Sequence, residues 1–359
     1  MASNPQAADE AANEQAAYFA RIAPLNLVPA WKVMSIYAPP EPTTPCLPAA
    51  WHYREIRPHL LDSTRVIGAK EAERRVLLLH NPGLGESAYG ITQTISGDYQ
   101  IILPGEIAPA HRHTQTAFRF FIEGEGAYTA IDGEKIYMKP GDLVIQPPGL
   151  FHHHGHEGGP GSPPAIWFDA LDVGMCGMFE STFFHSHSED EFPVKRPPGA
   201  HRRRFGANVV PVGHQGSGLD ARMFSYPYET TKAALDSLRE TEPCDPYYGW
   251  KVRYINPQTG DHAMTTMAAH LQILPEGMAT APYRATDGVV FVVVEGNGRT
   301  VVGATVLEWE PHDVFVVPSW QWHRHETDTG AVLFSYSDRA AQEKLGLWFE
   351  ERGNNPTDE

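Results

Sequence analysis

A repeat constrains this chain more than any other feature. The stretch YQIILPGEIAPAHRHTQTAFRFFIEGEGAYTAIDG, beginning at Tyr99, aligns with LQILPEGMATAPYRATDGVVFVVVEGNGRTVVG, beginning at Leu271. Gln100, Gly105 and Gly124 match Gln272, Gly277 and Gly296 at a constant offset of 172 residues. Further on, KPGDLVIQPPGLFHHH at 139–154 aligns with EPHDVFVVPSWQWHRH at 310–325, where Pro147 matches Pro318 and His152 matches His323 at an offset of 171. One residue lost between two in-register blocks marks a duplicated domain that has drifted in one loop. At 359 residues the chain is long enough to bury both copies.

Each copy has the pattern of a strand meander. FRFFIEGEGAYTAIDGEKIYMKPGDLVIQPP breaks short apolar or alternating runs with Glu-Gly, Asp-Gly and Pro-Gly turns. Such spacing predicts an all-β fold of two jelly-roll barrels with a few peripheral helices. Helical periodicity is confined to 5–21, 230–240 and 337–351. The Pro-rich stretch 22–60 is expected to be an extended arm, and 185–218, rich in His, Gly and Pro, a linker. The expected division is an N-terminal helix and arm at 1–70, a first barrel at 71–184, a linker with a short helix at 185–245 and a second barrel with a C-terminal helix at 246–359.

Charge and composition exclude several classes. A net charge of −16, with no basic run longer than HRRRF at 201–205, argues against a nucleic-acid partner. No apolar run is long enough to span a membrane, and the N-terminus lacks the basic and apolar regions of a secretory signal. Three widely spaced cysteines, Cys46, Cys176 and Cys244, point to a reducing compartment, and a cytoplasmic location is expected. An anionic substrate would be opposed by the global field, so locally placed arginines must attract it.

The 18 histidines are clustered. Gly105, His111, His113 and Gly124 fit the first cupin motif, with Ala117 where that motif carries an acid. Gly141, Pro147, Gly149 and His152 complete the second. Residues two apart on a strand share a face, so His111 and His113 project together and His152 closes a facial set of three nitrogens. With Ala117 in place of the carboxylate, a divalent metal would keep open positions for a chelating ligand and O2. Iron fits this donor set, and so does zinc. Arg119 shares the face parity of the ligands; His153 and His156 are read as loop residues. In the second copy Tyr283 and Ala285 replace the paired histidines and only His323 remains, so that copy is expected to be metal-free, with one metal per chain.

The stretch PGEIAPAHRHTQTAFRFFIEGEGAYTAIDGE, with ERRVLLLHNPGL at 73–84 and VFVVPSWQWHRHE…AVLFSYSDRAAQEKLGLW in the C-terminal half, resembles the gentisate 1,2-dioxygenases and their relatives that cleave salicylate, substituted salicylates and 1-hydroxy-2-naphthoate. The resemblance covers residues 15–350. It implies a bicupin whose three histidines hold Fe(II), and ring opening of a 2-hydroxybenzoate by O2 at the C1–C2 bond. It further implies that Arg75, Gln100, Arg119 and His154 hold the carboxylate and hydroxyl of a small aromatic acid and assist oxygen, with His154 as a general acid or base. The family forms tetramers, so a homotetramer is expected. One position departs from the family: Asp98, two residues before Gln100, stands where a small residue is usual. Strand parity turns Asp98 toward the pocket with Gln100, where it would accept a hydrogen bond from a ring substituent or pair with Arg75.

Overall fold

A computed structural model describes residues 5–86, 89–207, 212–213 and 223–353. These fall into two compact units, 1–43 and 44–359. The first is helical: Pro5–Ile22 forms as the periodicity predicts, but a second helix, Ala30–Tyr37, occupies part of the expected arm. The arm reading also fails at Tyr53–Val66, a helix that carries Pro58 and buries Tyr53 and Leu60. Proline marked the segment as extended, yet in both places apolar residues at helical spacing outweigh it.

The second unit holds both copies of the repeat as jelly rolls, each built from a six-stranded and a five-stranded sheet. In the first, the larger sheet runs Ser225–Tyr226, Leu143–Gln146, Ala117–Glu123, Ala165–Leu171, Asp98–Ile102, Val76–Leu78, and the smaller runs Phe184–Ser186, Ile107–His113, His152–His156, Ala127–Ile131, Glu134–Tyr137. The second repeats this plan. Its larger sheet takes an edge strand, Ala49–Trp51, from the segment expected in the arm, paired with Val314–Val317.

The run FRFFIE is apolar on both faces because both are buried. Phe118, Phe120 and Ile122 pack with Val290, Phe334 and Tyr336 of the second jelly roll in one continuous core, and Phe120 stacks on Phe334 at 4.3 Å. On the opposite face, Phe121 joins Trp167, Ile131 and Val144 inside the first jelly roll. The two copies are therefore joined back to back by a shared core. Gly124 and Gly296 both turn with positive φ, +102° and +78°, and a Cβ at either would overlap a backbone carbonyl, of Pro164 or of Gly330.

Residues 185–205, expected in a linker, are instead bonded to the first jelly roll. Phe184–Ser186 pairs with His111–His113, and Ala110 exchanges backbone hydrogen bonds with Asp190 and His187. The helix Ala200–Phe205 buries His201 against Glu134 at 2.7 Å. Linker positions 208–211 and 214–218 lie outside the described residues. Tyr228–Thr241 is helical as expected, whereas the C-terminal helix stops at Leu345 with Gly346 in the left-handed conformation, and Glu350–Arg352 becomes an edge strand. No helix among the described residues is long and apolar enough to cross a membrane.

Candidate metal centre and substrate cavity

The strand Ile107–His113 alternates, so His111 and His113 project from one face, and His111 pairs in register with His152 on the neighbouring strand. All three are buried, with ligand atoms within 4.8 Å of one another. Two of the outer nitrogens are oriented by the backbone: His113 Nδ1 donates to the Gln115 carbonyl at 3.0 Å and His152 Nδ1 to that of Leu150 at 3.2 Å. The inner Nε2 atoms of these two are thereby left as lone-pair donors, whereas His111 Nδ1 faces the Arg74 guanidinium. Burial, reinforced by nearby cationic groups, pushes the His111 imidazole down to about 2 and that of His113 to about 4, and holds His152 well below the ordinary histidine range. All three are neutral at neutral pH. His152 Nε2 is buried without a hydrogen-bond partner, an orphan that a coordinated ion would satisfy. The donor set fits a divalent transition metal.

Beside this triad lies a cavity of about 400 Å³, lined by Arg74, Asp98, Gln100, Ala117, Arg119, Asp169, Leu171 and Phe184 as well as the three histidines. Ala117, where a fourth ligand would stand, keeps that side of the triad open. Phe184, on the added edge strand, lies 4.6 Å from the His111 ring. Arg119 is 4% exposed. One of its nitrogens, Nη2, donates to His154 Nε2 at 3.0 Å, and its Nε is 3.5 Å from Asp169 Oδ1. Nη1 is unpartnered and Nη2 keeps a second N–H, so the end of the guanidinium can offer a fork to a carboxylate.

His154 does not line the cavity. Because a guanidinium can only donate, His154 Nε2 accepts and Nδ1 carries the proton toward Thr129 Oγ1 at 3.0 Å. Both nitrogens are thus engaged, and the ring braces Arg119 from behind. Arg75 also lies off the cavity. Val76 pairs with Gln100, so Arg74 and Val76 share the Gln100 face and Arg75 points away, into an ion pair with Glu106. Arg74 takes the cavity position; it donates to the Pro109 carbonyl at 3.0 Å and approaches His111 Nδ1 at 3.2 Å.

Asp98 is buried and lines the cavity with Gln100. Asp169 faces Asp98 on one side and Arg119 on the other, so two carboxyls and one guanidinium form a row across three strands. Burial and the neighbouring Asp169 charge hold the Asp98 carboxyl well above the usual range, and burial lifts Asp169 to about 6, opposed by Arg119. Asp98 carries no pairing with Arg75. His153 and His156, read as loop residues, sit on the strand His152–His156: His153 packs on Tyr128, and His156 bonds the Pro163 carbonyl and the Gly158 amide.

Arg74, Asp169 and Phe184 were not singled out in the sequence. For Arg74 the signal was parity, obscured by the Arg74-Arg75 doublet. For Asp169 it was an acid inside the apolar run AIWFDAL. Phe184 carried no signal.

Fold and site together define a bicupin with, among the described residues, one three-histidine group arranged to hold a metal ion. A model of the cupin domain matches residues 98–169. The chain is 42% identical to gentisate 1,2 dioxygenase 1 of Aquipseudomonas alcaligenes, over 94% of this chain and 96% of that one. It is 34% identical to a 5-aminosalicylate 1,2-dioxygenase of Comamonas sp, over 91% and 87%. A salicylate 1,2-dioxygenase variant from Pseudoaminobacter salicylatoxidans, solved in complex with gentisate, superposes with a TM-score of 0.88 at 29% identity, covering 95% of each chain. The chain belongs to the gentisate 1,2-dioxygenase family and is a ring-cleaving dioxygenase.

Proposed function

We propose that the enzyme binds Fe(II) at His111, His113 and His152 and opens gentisate at its C1–C2 bond, placing both atoms of O2 in a maleylpyruvate-type product. The observation that carries this reading is the cavity wall on which Arg74, Arg119, Gln100 and Asp98 converge beside the triad. When bound, iron supplies coordination of the substrate's carboxylate and phenolate and the electrons that activate O2. Arg119, braced by His154, and Arg74 offer forked donors to the carboxylate, in the role that the family resemblance gave to Arg75. His111 binding through Nε2 requires its proton on Nδ1, which removes the acceptor now facing Arg74 and turns that guanidinium toward an anion. Gln100 offers an amide to the hydroxyl, and Phe184 gives an apolar surface to the ring.

Asp98 accepts a hydrogen bond from a substituent at C5. This favours gentisate, and next 5-aminosalicylate, over 5-nitrosalicylate, salicylate or 1-hydroxy-2-naphthoate, which lack a donor there. The test is an oxygen electrode and ultraviolet scan of anaerobically iron-loaded enzyme against these five acids. One O2 consumed per ring opened, with the highest kcat/KM for gentisate, is expected. Equal turnover of a zinc-loaded preparation without O2 uptake would overturn the iron assignment.

We further assign the enzyme to the cytoplasm and to a homotetramer. All three cysteines are free, as a reducing compartment keeps them. Trp31, Ile36 and Tyr37 on the helix Ala30–Tyr37 are exposed, surface that assembly would cover. A monomeric mass by light scattering would refute the tetramer.

A further inference from the structure

The second jelly roll keeps a cavity of about 450 Å³ at the place where the first holds its metal centre. Gln272, the counterpart of Gln100, lines it, with Tyr283 and His323 at the positions of His111 and His152. The bond behind the wall survives as well: Thr300 Oγ1 meets His325 Nδ1 at 2.8 Å, as Thr129 meets His154. What changed is the source of positive charge. Phe291 stands where Arg119 would be, its ring 4.9 Å from that of His325. A cation enters instead from the neighbouring strand, where Lys251 pairs in register with Gln272 at the place that Val76 holds beside Gln100.

In this cavity Gln272 is unsatisfied, and Lys251 carries no ion pair among the described residues, resting 6.0 Å from the Tyr248 ring centroid. Gln272 is 1% exposed, and neither its Oε1 nor its Nε2 has a hydrogen-bond partner among the described residues. By contrast, the cavity's Arg339 is matched to Glu343 at 2.7 Å and Arg352 to Glu350 at 3.3 Å. Burial lowers the Lys251 ammonium to about 8, so it remains largely charged at neutral pH, and an anion beside it would relieve that cost. Tyr248 and Trp348 line the cavity with Phe291, the Arg339 guanidinium lying 3.7 Å over the Trp348 ring.

We propose that the metal-free jelly roll is a second ligand site that takes a small aromatic carboxylate, with the carboxylate on Lys251 and Gln272 and the ring between the aromatic walls. The site is independent of the substrate assigned to the metal centre. The test is fluorine NMR of 4-fluorobenzoate bound to iron-loaded enzyme under nitrogen. A bound signal should persist in His111→Ala and weaken at least tenfold in Lys251→Met and in Gln272→Leu, while kcat/KM of both latter variants stays within twofold of wild type. The proposal is overturned if no bound signal persists in His111→Ala, or if that signal is insensitive to whichever of the Lys251 and Gln272 variants fold. Displacement by inorganic phosphate as readily as by benzoate would overturn the aromatic part.

Discussion

The two jelly rolls share a strand plan, paired turn glycines and a Thr–His bond, yet among the described residues only the first carries a three-histidine group able to hold a metal. In the first, His111, His113, His152 and Arg119 face inward; the matching positions hold Tyr283, Ala285, His323 and Phe291. Even the added edge strands correspond, Phe184–Ser186 beside the first pair of ligands and Glu350–Arg352 beside Tyr283. In the second copy, Glu350 satisfies the Tyr283 hydroxyl at 2.9 Å, so a residue that replaced a ligand has been absorbed into the structure. The difference teaches that the scaffold is held by the packed cores and the turns, leaving the inward side chains around each cavity free to diverge. The outward faces cannot change independently, because Phe118 and Phe120 of one copy pack on Phe334 and Tyr336 of the other.

The largest expected effect separates the copies outright. His152→Ala should abolish metal binding and turnover, while His323→Ala keeps both, with one iron per chain by elemental analysis. Equal metal loss in the two variants would erase the distinction. The turn glycines should instead behave alike: Gly124→Ala and Gly296→Ala each force a side chain into a left-handed, crowded position and should each cost about 2 kcal/mol in chemical denaturation. A large effect in only one copy would show that the turns are no longer equivalent.

Smaller effects sharpen the comparison at the cavity. Arg119→Lys keeps the charge but loses the planar fork, and should lower kcat/KM about tenfold, about 1.4 kcal/mol. Phe291→Leu at the matching position should leave it unchanged. Unaltered kinetics in Arg119→Lys would reduce Arg119 to a structural ion pair with Asp169. The smallest effect is one of ranking. Asp98→Gly should erode the preference for gentisate and 5-aminosalicylate over 5-nitrosalicylate and salicylate, read from kcat/KM on each. An unchanged order would mean that Asp98 does not sense the substituent.

Much of this was written locally. The duplication, the grouping of the three histidines, the loss of two of them in the second copy and the inward parity of Arg119, Gln100 and Asp98 all follow from motif spacing and strand alternation. Those signals depend only on neighbours along the chain. The pairings across strands do not. Whether Arg74 or Arg75 faces the cavity depends on the register of Val76–Leu78 against Asp98–Ile102, and a one-residue slip exchanges them.

The sequence by itself determined the fold class, the three-histidine group and which copy carries it, because each is a matter of residue type at fixed spacing. Only the tertiary structure decided that His154 braces Arg119 rather than lining the cavity, that Asp169 stands between Arg119 and Asp98, and that Phe184 lies against the His111 ring. It also set Lys251 beside Gln272, twenty-one residues apart in sequence and adjacent only by strand pairing. The physical reason is common to all four. A side chain's direction follows from its own strand, but its partners are chosen by register and by packing between sheets, which no local pattern encodes.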